Sequence, residues 1–459
     1  MYKKILEKME GKNIAILGFG KEGISTYQFI RRHLKEQKVT IVDKNPSLKE
    51  NALFEEDKNV FFELGDTYLD HLEKFDLIIK SPGVRLKDKD ISKISYAITS
   101  QIGLILEDTD LFSIGITGSK GKSTTTSLLY RILKDQGYDA YLLGNIGLPP
   151  LDYIENMKKD SILVIEMAAL QLEFIKKSPH IGIILNLFEE HLDFFGTKEN
   201  YYQAKLNMLE YQNTNDYGFY VFDNPTLKEY ILKKSYPGKL TPVYFSKPLE
   251  CPFEKAILCD EKFIYIKTGN KLEKVYDCNK ERTLLGRHNL ENIMVCFGVA
   301  DLFHLDNEKV ISSITTFQTL EHRMEKVGTY DDIIYYNDAI ATIPEATIHA
   351  INALEKVNTL IFGGFDRGID YNNFITYLNN CSVENFICMP DTGYKIGKEL
   401  SKEKKVYFCE NLKDAVTLSK KITKKNHICL LSPAASSYNQ FKNFEEKGKL
   451  YKEYIREEI

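Results

Sequence analysis

The segment that most restricts how this chain can fold is ITGSKGKSTT, residues 116–125. It follows an apolar run at 111–116 that is typical of a strand, and it precedes residues 126–133, which have the pattern of a helix. A strand, a glycine-rich turn and a helix N-terminus bring several backbone N–H groups and the positive end of a helix dipole around one anion. The segment therefore predicts a binding site for nucleotide phosphates.

Individual residues of this loop carry the expected chemistry. Lys122 adds a mobile charge for outer phosphates, and Ser123 or Thr124 offers a hydroxyl to Mg²⁺. The Walker pattern, G-x-x-x-x-G-K-[ST], separates its glycines by a longer stretch than this loop does, so a glycine- and lysine-rich surface turn is the alternative. The flanking strand and helix favour nucleotide binding. The predicted phosphate-binding residues are Gly118, Ser119, Lys120, Gly121, Lys122, Ser123 and Thr124.

Composition narrows the class of protein. A chain of 459 residues corresponds to about three domains, and a hydrophobic fraction of 43% is ample for their cores. A net charge of −4 carries no signature of polyanion binding, so nucleic acid is not expected as a partner. The cysteines form no C-x-x-C pair, the N-terminus has no apolar signal core, and no run approaches the ~20 apolar residues of a membrane span. We therefore expect a soluble cytoplasmic protein with reduced thiols.

Short β-rich apolar runs alternate with helical patterns along the chain, which is typical of parallel α/β sheets. The first region contains a predicted strand at 13–17, the sequence GFGKEG at 18–23 and a helix to about His33. Its second strand ends in Asp43, at the spacing that dinucleotide-binding folds use for their acidic residue. The glycines permit close approach to a diphosphate. A nicotinamide cofactor, another diphosphate nucleotide such as a UDP-sugar, or a turn that only packs helix on sheet all fit this pattern.

The second region, from about Gln101, holds the phosphate loop and a strand that ends in Glu166. Carboxylates at the carboxyl ends of parallel strands face the crevice where α/β proteins bind ligands. The sequence EEHLD, 189–193, places hard ligands beside the imidazole of His191, and Mg²⁺ takes oxygen ligands readily and imidazole occasionally. The cluster predicts a metal site, with a solvated loop as the alternative. Lys205 lies in a helical pattern, where an exposed lysine is the default expectation.

Polar residues further along the chain extend the candidate site. Asn289 and Asn292 fall on one face of a predicted helix, where they could contact an adenine or ribose edge or serve as a cap and an exposed amide. In the third region, loops at 337–342, 363–368 and 432–437 follow predicted strands. They bring a carboxylate, a guanidinium and hydroxyls to one sheet edge, and an arginine there suits a carboxylate or phosphate ligand.

In order along essentially the whole chain, these motifs resemble those of the Mur ligase family, most of all its glutamate-adding branch. The matching stretches are ITGSKGKSTT, GNIGLP, IEMAALQLE, NLFEEHLDFFG, YYQAKL, LLGRHNLEN, EHRMEKV, GGFDRGIDY and LSPAASSYNQFKNFEEKG. The resemblance implies three α/β domains: a Rossmann-like domain at 1–99, a central P-loop ATPase-type mononucleotide-binding domain at 100–319, and a Rossmann-like C-terminal domain at 320–459. It also implies an ATP-dependent ligase of peptidoglycan precursor synthesis, which joins D-glutamate to UDP-N-acetylmuramoyl-L-alanine through an acyl phosphate.

The resemblance further implies roles for individual residues. The catalytic residues would be Lys122, His191 and Lys205, with Lys205 carbamylated and so converted from an ammonium into a carboxylate-like metal ligand. The Mg²⁺ ligands would be Ser123, Glu166, His191 and Lys205. Beyond the phosphate loop, ATP would contact Asn289, Asn292, Arg323 and Asp338. The UDP-sugar would contact Lys21, Glu22, Asp43, Ser81, Asn145 and Gln171, and glutamate would contact Thr342, Arg367, Ser437 and Phe444.

Several positions depart from the family pattern. Ala168 and Ala169 stand where two serines are usual, Glu190 replaces an aspartate, and Lys120 replaces an asparagine in the phosphate loop. The sequence NDAIAT, 337–342, has Ala-Ile in place of Ser-Lys, so a phosphate-contacting lysine is absent and Lys120 is the candidate for a substitute charge. Because these changes touch the ATP and amino-acid sites, L-glutamate is the alternative to D-glutamate.

The residues also allow two other functions that are not ligation. An NAD-type oxidoreductase would use the glycine fingerprint of the first region, but it leaves the phosphate loop and the acidic cluster unexplained. An inactive nucleotide-binding paralogue would fit the missing Ser-Lys pair, although the presence of Lys122, Glu166, His191 and Lys205 argues against it. We expect a monomer that binds UDP-N-acetylmuramoyl-L-alanine, glutamate and ATP, with no nucleic-acid or membrane partner.

Overall fold

The computed structural model describes residues 2–86, 89–146, 149–190, 192–318, 321–354, 356–366, 371–437 and 440–457. Two predicted site residues, His191 and Arg367, lie outside the described residues. The chain forms two compact units, a larger one of Met1–Arg282 with Arg287–Thr316 and a smaller one of Thr283–Gly286 with Phe317–Ile459. Three sheets flanked by helices confirm the predicted α/β class. The domain boundaries given above stay a prediction.

The first sheet of the larger unit has five parallel strands in the order β3-β2-β1-β4-β5. Its strands are β1 Ile14–Leu17, β2 Val39–Asp43, β3 Val60–Leu64, β4 Leu77–Lys80 and β5 Ile98–Thr99, with helices α1 Lys3–Met9, α2 Lys21–His33 and α3 Gln101–Asp108. Strands β1 and β4 are buried throughout, as expected for a parallel sheet covered on both faces. Because β1 lies between β2 and β4, the loops after these strands meet at one carboxyl edge, where α/β folds bind ligands.

The second sheet of the larger unit has nine strands in the order β14-β13-β12-β11-β10-β9-β6-β8-β7. Its strands are β6 Phe112–Thr117, β7 Ala140–Gly144, β8 Ile162–Glu166, β9 Ile181–Ile184, β10 Tyr217–Val221, β11 Lys239–Phe245, β12 Lys255–Cys259, β13 Phe263–Thr268 and β14 Lys271–Asp277. Its helices are α4 Lys122–Asp135, α5 Ala169–Leu172, α6 Leu192–Phe195, α7 Lys198–Glu210, α8 Pro225–Leu232, α9 Arg287–Leu302 and α10 Asn307–Thr315. Strand β6 pairs in parallel with both β8 and β9, so the loop after β6 adjoins the ends of both neighbours.

The sheet of the smaller unit has six strands in the order β15-β16-β20-β17-β18-β19, of which only β15 is antiparallel to its neighbour. Its strands are β15 Glu325–Tyr330, β16 Ile333–Asn337, β17 Val357–Phe362, β18 Asn385–Cys388, β19 Lys405–Phe408 and β20 Ile428–Leu431. Its helices are α11 Pro344–Ala353, α12 Asn372–Asn380, α13 Thr392–Gly397, α14 Leu412–Ile422 and α15 Phe444–Arg456. Because β20 lies between β16 and β17, the loops after these three strands share one edge.

Several elements differ from the sequence-based expectation. The helix predicted from residue 126 begins at Lys122, since the threonine hydroxyls of its first turn donate to carbonyls four residues earlier and so mask the apolar periodicity. Strands β3 and β15 lie at sheet edges, and their half-exposed side chains give them only a weak apolar signal in the sequence. Across the described chain, no helix has both the length and the apolar character needed to cross a membrane.

Candidate active site

The phosphate loop connects β6 to α4 through two glycines with positive φ. Gly118 has φ +154° and Gly121 has φ +84°, conformations that favour glycine. A Cβ on Gly121 would lie 2.7 Å from the amide oxygen of Asn292, so that side chain packs directly against the loop. The amide nitrogen of Asn292 donates to the Asn289 oxygen at 3.1 Å. The structure therefore brings both predicted adenosine-contacting asparagines to the start of the phosphate-loop helix.

Two lysines from different helices converge on one carbonyl of this loop. The Lys122 ammonium donates to the carbonyls of Gly118 and Ser119, each at 2.9 Å. The Lys205 ammonium, from α7, donates to the same Gly118 carbonyl at 2.9 Å. Lys205 is only 2% exposed, so the default expectation of an exposed lysine is wrong. Burial, and secondarily the charge of Lys122, hold the pKa of Lys205 well below its usual range.

Neighbouring side chains hold the loop in place from the end of β9. The amide of Asn186 accepts the Lys120 N–H at 2.8 Å and donates to the Lys120 carbonyl at 3.1 Å. The Ser119 hydroxyl donates to the Phe188 carbonyl at 3.1 Å and accepts the Phe188 N–H at 2.9 Å. Asn186 is not among the site residues predicted from the sequence. The rule that strand-end polar groups face the ligand crevice would have included it.

Glu166, at the end of β8, is suited to binding a cation. Its carboxylate is buried, and one oxygen accepts the Asn145 amide at 2.7 Å. The other oxygen has no hydrogen-bond partner among the described residues. A buried carboxylate oxygen without a donor is costly, and a divalent cation would satisfy it. The donor set fits Mg²⁺, with the buried Ser123 hydroxyl at the start of α4 as a second oxygen. The described residues contain no cluster of three or more His, Cys, Asp or Glu side chains that could hold a metal ion.

The alanines that depart from the family pattern lie at the start of α5. Ala168 occupies the N-cap position and offers no side-chain oxygen to the first turn. Its own N–H donates to the Gln171 side chain at 3.0 Å, which is one half of the usual reciprocal capping arrangement. The substitution thus removes a capping hydroxyl next to Glu166.

Replacing Ala168 with serine is expected to raise the free energy of unfolding by about 0.5–1 kcal/mol, because the hydroxyl would accept a free N–H of the first turn. Urea-induced unfolding of the whole chain measures this change. The matched control is Ala169→Ser, which places a hydroxyl at the buried first residue of the helix, after the cap position, and should give no gain. An equal gain in both variants would contradict the capping explanation.

Two of the predicted UDP-sugar residues, Asp43 and Ser81, already form hydrogen bonds to backbone groups of the protein. The Asp43 carboxylate accepts the N–H groups of Phe19 at 2.7 Å and Asn45 at 2.8 Å, and the Ser81 hydroxyl donates to the Gly18 carbonyl at 2.8 Å. These two residues therefore shape the glycine loop after β1. Lys21 is exposed at the start of α2.

Glu22, in the helix after β1, and Lys80, at the end of β4, both lie near residues that follow β8 of the second sheet. The Glu22 carboxylate accepts the Gln171 amide at 3.2 Å, and burial raises the pKa of Glu22 to about 7. Lys80, at the end of β4, was missed by the sequence reasoning. Its ammonium is buried, lies 4.0 Å from the Glu173 carboxylate and has no hydrogen-bond partner among the described residues. The strand-end rule that identified Glu166 would have identified Lys80 too.

In the smaller unit, predicted residues lie at the shared edge of β16, β17 and β20. The buried Asp338 carboxylate accepts the Ser432 hydroxyl at 2.9 Å and the Met324 N–H at 3.1 Å. Burial raises the pKa of Asp338 to about 7, an effect that Ser432, Met324 and the nearby Arg323 charge partly offset.

The remaining glutamate-site residues of this unit differ in environment. Thr342 is half-buried just before α11. Ser437 is buried, and its hydroxyl has no partner among the described residues. Phe444, at the start of α15, packs edge-on to His322 with ring centroids 6.4 Å apart.

Comparison with protein families matches three consecutive stretches of the chain. Residues 12–103 match the family described as Mur ligase MurD-like, N-terminal domain. Residues 116–300 match the Mur ligase middle domain, and residues 322–435 match the Mur ligase glutamate ligase domain.

Similar proteins cover nearly the whole chain. The UDP-N-acetylmuramoylalanine–D-glutamate ligase of Acetivibrio thermocellus is 31% identical over 98% of this chain and 97% of its own length. The enzyme of the same name from Caldicellulosiruptor bescii is 32% identical, with 98% of each chain covered. Among solved structures, the MurF ligase from Thermotoga maritima in complex with ADP has a TM-score of 0.57 at 17% identity, covering 98% of this chain and 96% of its own. The MurC ligase of the same organism has a TM-score of 0.57 at 18% identity, covering 96% and 98%. These two structures share the fold.

Proposed function

The chain belongs to the Mur ligase family, and on that basis we propose that it joins D-glutamate to UDP-N-acetylmuramoyl-L-alanine with conversion of ATP to ADP and phosphate. It is an ATP-dependent, ADP-forming acid–amino-acid ligase of peptidoglycan precursor synthesis. The observation that carries the proposal is the convergence of Lys122 and Lys205 on one phosphate-loop carbonyl. A dinucleotide-dependent oxidoreductase has no use for that arrangement.

The chemistry follows from the poor reactivity of a carboxylate. An oxygen of the alanyl carboxylate attacks the γ-phosphorus of ATP, the bond from phosphorus to ADP breaks, and an acyl phosphate forms. The glutamate amine then attacks the acyl carbon, loses a proton and displaces phosphate. During phosphoryl transfer Lys122 would offset the charge that develops on the transferred oxygens. Bound Mg²⁺ would supply further charge stabilisation, held by Ser123, Glu166 and, from the sequence, His191.

Lys205 is proposed to act as a carbamate. A neutral amine adds to carbon dioxide and loses a proton, which leaves a carboxylate-like group in place of the ammonium. The burial of Lys205 and its closeness to Lys122 favour the neutral amine, and a carbamate there would carry a negative charge between a lysine and a metal. The modified side chain would then be a further oxygen ligand of Mg²⁺.

The remaining assignments are proposals with different degrees of structural support. The proposed UDP-sugar contacts are Lys21, Glu22, Asp43, Ser81, Asn145 and Gln171. The side chains of Glu22 and Gln171 are hydrogen-bonded to each other, Asn145 donates to Glu166, and Asp43 and Ser81 also hold the glycine loop. For ATP, support comes from the packing of Asn292 against Gly121. The remaining proposed ATP contacts are Arg323 and Asp338, and the proposed glutamate contacts are Thr342, Arg367, Ser437 and Phe444. Because all of these residues come from one chain, we also propose that it acts as a monomer.

Phosphate release that requires every substrate tests this function. The protein with Mg²⁺ and ATP should release phosphate only when UDP-N-acetylmuramoyl-L-alanine and D-glutamate are both present, and the ADP formed should equal the amide formed. Each omission serves as a control. Turnover with L-glutamate instead would replace the amino acid in the proposal, as the departures at 337–342 allow. Phosphate release that is independent of the amino acid, or none with any amino acid, would overturn the proposal.

A further inference from the structure

One buried lysine in the smaller unit has no role in the assignments above. Lys447, on α15, is 1% exposed, and its ammonium donates to the Gly363 carbonyl at 2.9 Å. Its nitrogen lies 5.5 Å from the centre of the Phe441 ring. No described carboxylate forms an ion pair with it, and burial lowers its pKa to about 7. The folded chain therefore buries this amine without a counter-charge, which disfavours its charged form until an anion lies nearby.

A second unsatisfied group belongs to the same cluster. The Ser437 hydroxyl is 2% exposed and finds no hydrogen-bond partner in the described part of the chain. The Phe441 N–H donates to the Ser437 carbonyl at 3.0 Å, and the Phe365 N–H donates to the Ser436 carbonyl at 2.7 Å. Phe441 therefore contacts both residues: its ring lies near the Lys447 ammonium and its N–H is bonded to Ser437. The backbone at 363–365 also links Lys447 to Ser436, the residue before Ser437.

The backbone between these groups has little freedom to move. Gly363 has φ +121°, and a Cβ there would lie 2.2 Å from the Met389 carbonyl oxygen. A Cβ on Gly364 would lie 2.2 Å from the Ser436 carbonyl oxygen. Because the segment is packed this closely, the carbonyl that Lys447 holds stays at a defined position, and so does the ammonium.

An unpaired ammonium and an unpaired hydroxyl are both costly to bury, and a carboxylate satisfies both at once. We propose that Lys447 is a binding residue of the amino-acid site, which holds the Gly363 segment and supplies the buried positive charge for the substrate carboxylate that binds at Ser437. The inference rests on the proposed function and deepens it. It names a second basic residue for a substrate with two carboxylates, beside the Arg367 predicted from the sequence.

The test compares Lys447→Met with Lys447→Arg in the phosphate-release assay, with the glutamate stereoisomer that the wild-type protein uses. Methionine keeps the length of the side chain without its charge, so the KM for glutamate should rise at least about tenfold. The KM values for ATP and the UDP-sugar should stay within about twofold, and kcat at saturating glutamate should largely recover. Arginine, which keeps a positive charge, should restore most of the lost affinity. The control is Lys449→Met, an exposed lysine of the same helix, which should change nothing.

Thermal unfolding separates this role from a structural one. Lys447→Met removes a buried amine that has no counter-charge, which favours folding, and also its hydrogen bond to the Gly363 carbonyl, which opposes it, so the Tm should change little. A lower Tm with equal increases in all three KM values would overturn the inference, and so would an unchanged glutamate KM in an active enzyme. A wild-type protein that is inactive with every amino acid would instead overturn the proposed function, and this inference with it.

Discussion

Lys122→Ala should lower phosphate release by about a thousandfold while leaving the fold intact. The Lys122 ammonium is proposed to offset the charge that develops on the transferred phosphoryl group. Alanine removes that positive charge from the transfer step. In the structure Lys122 donates to loop carbonyls and is only partly buried, so the substitution opens no cavity in a hydrophobic core. A steady-state phosphate-release assay and far-UV circular dichroism measure the two parts of the prediction.

The matched control for Lys122 is Lys134→Ala on the same helix. Lys134 is exposed near the end of α4, and its loss should leave the rate within about twofold. If Lys122→Ala kept a rate within about tenfold of wild type, only ~1.4 kcal/mol of barrier would be at stake, and the phosphate-loop assignment would be refuted.

Lys205→Ala is expected to cost about a hundredfold in rate, and a short carboxylic acid such as propionate should restore part of it. The physical reason is the proposed carbamate, since alanine leaves a space in which an added carboxylate can take the place of the modified lysine. The Lys205→Met variant provides the comparison. Methionine fills that space, so this variant should not respond to the acid. Because methionine is apolar and Lys205 is buried, the variant should fold normally.

A direct measurement of the modification completes this prediction. Wild-type protein equilibrated with ¹³C-bicarbonate should show a carbamate resonance by NMR that Lys205→Ala lacks, whereas the exposed-lysine control Lys198→Ala should keep it. A plain ammonium far from the metal in an active complex with ATP and Mg²⁺ would count against a carbamate, as would rescue of Lys205→Met by the acid.

The sequence by itself was sufficient for the features that are local in the chain. The phosphate loop is a contiguous strand, turn and helix, so its glycines and its GKST sequence specify it without reference to distant residues. Glu166 follows from a similar rule, because the last residue of a buried parallel strand lies at the ligand edge wherever that strand pairs. The α/β class follows from the alternation of short apolar runs with helical patterns, and the structure confirms it.

The tertiary structure decided which of these local features meet. Lys205 lies 87 residues from Gly118 in the chain, and Lys447 lies 84 residues from Gly363, yet each donates to the carbonyl of that glycine. In a helical pattern an isolated lysine is expected to be exposed, so periodicity could not predict the burial of either side chain. Likewise, the hydrogen bond of the Asp43 carboxylate to the Phe19 N–H, which supports the glycine loop, depends on the pairing of β1 with β2 and could not be predicted from the sequence. Periodicity specifies which face of an element is buried, but contacts between distant residues depend on strand order and packing, which no short stretch of sequence contains.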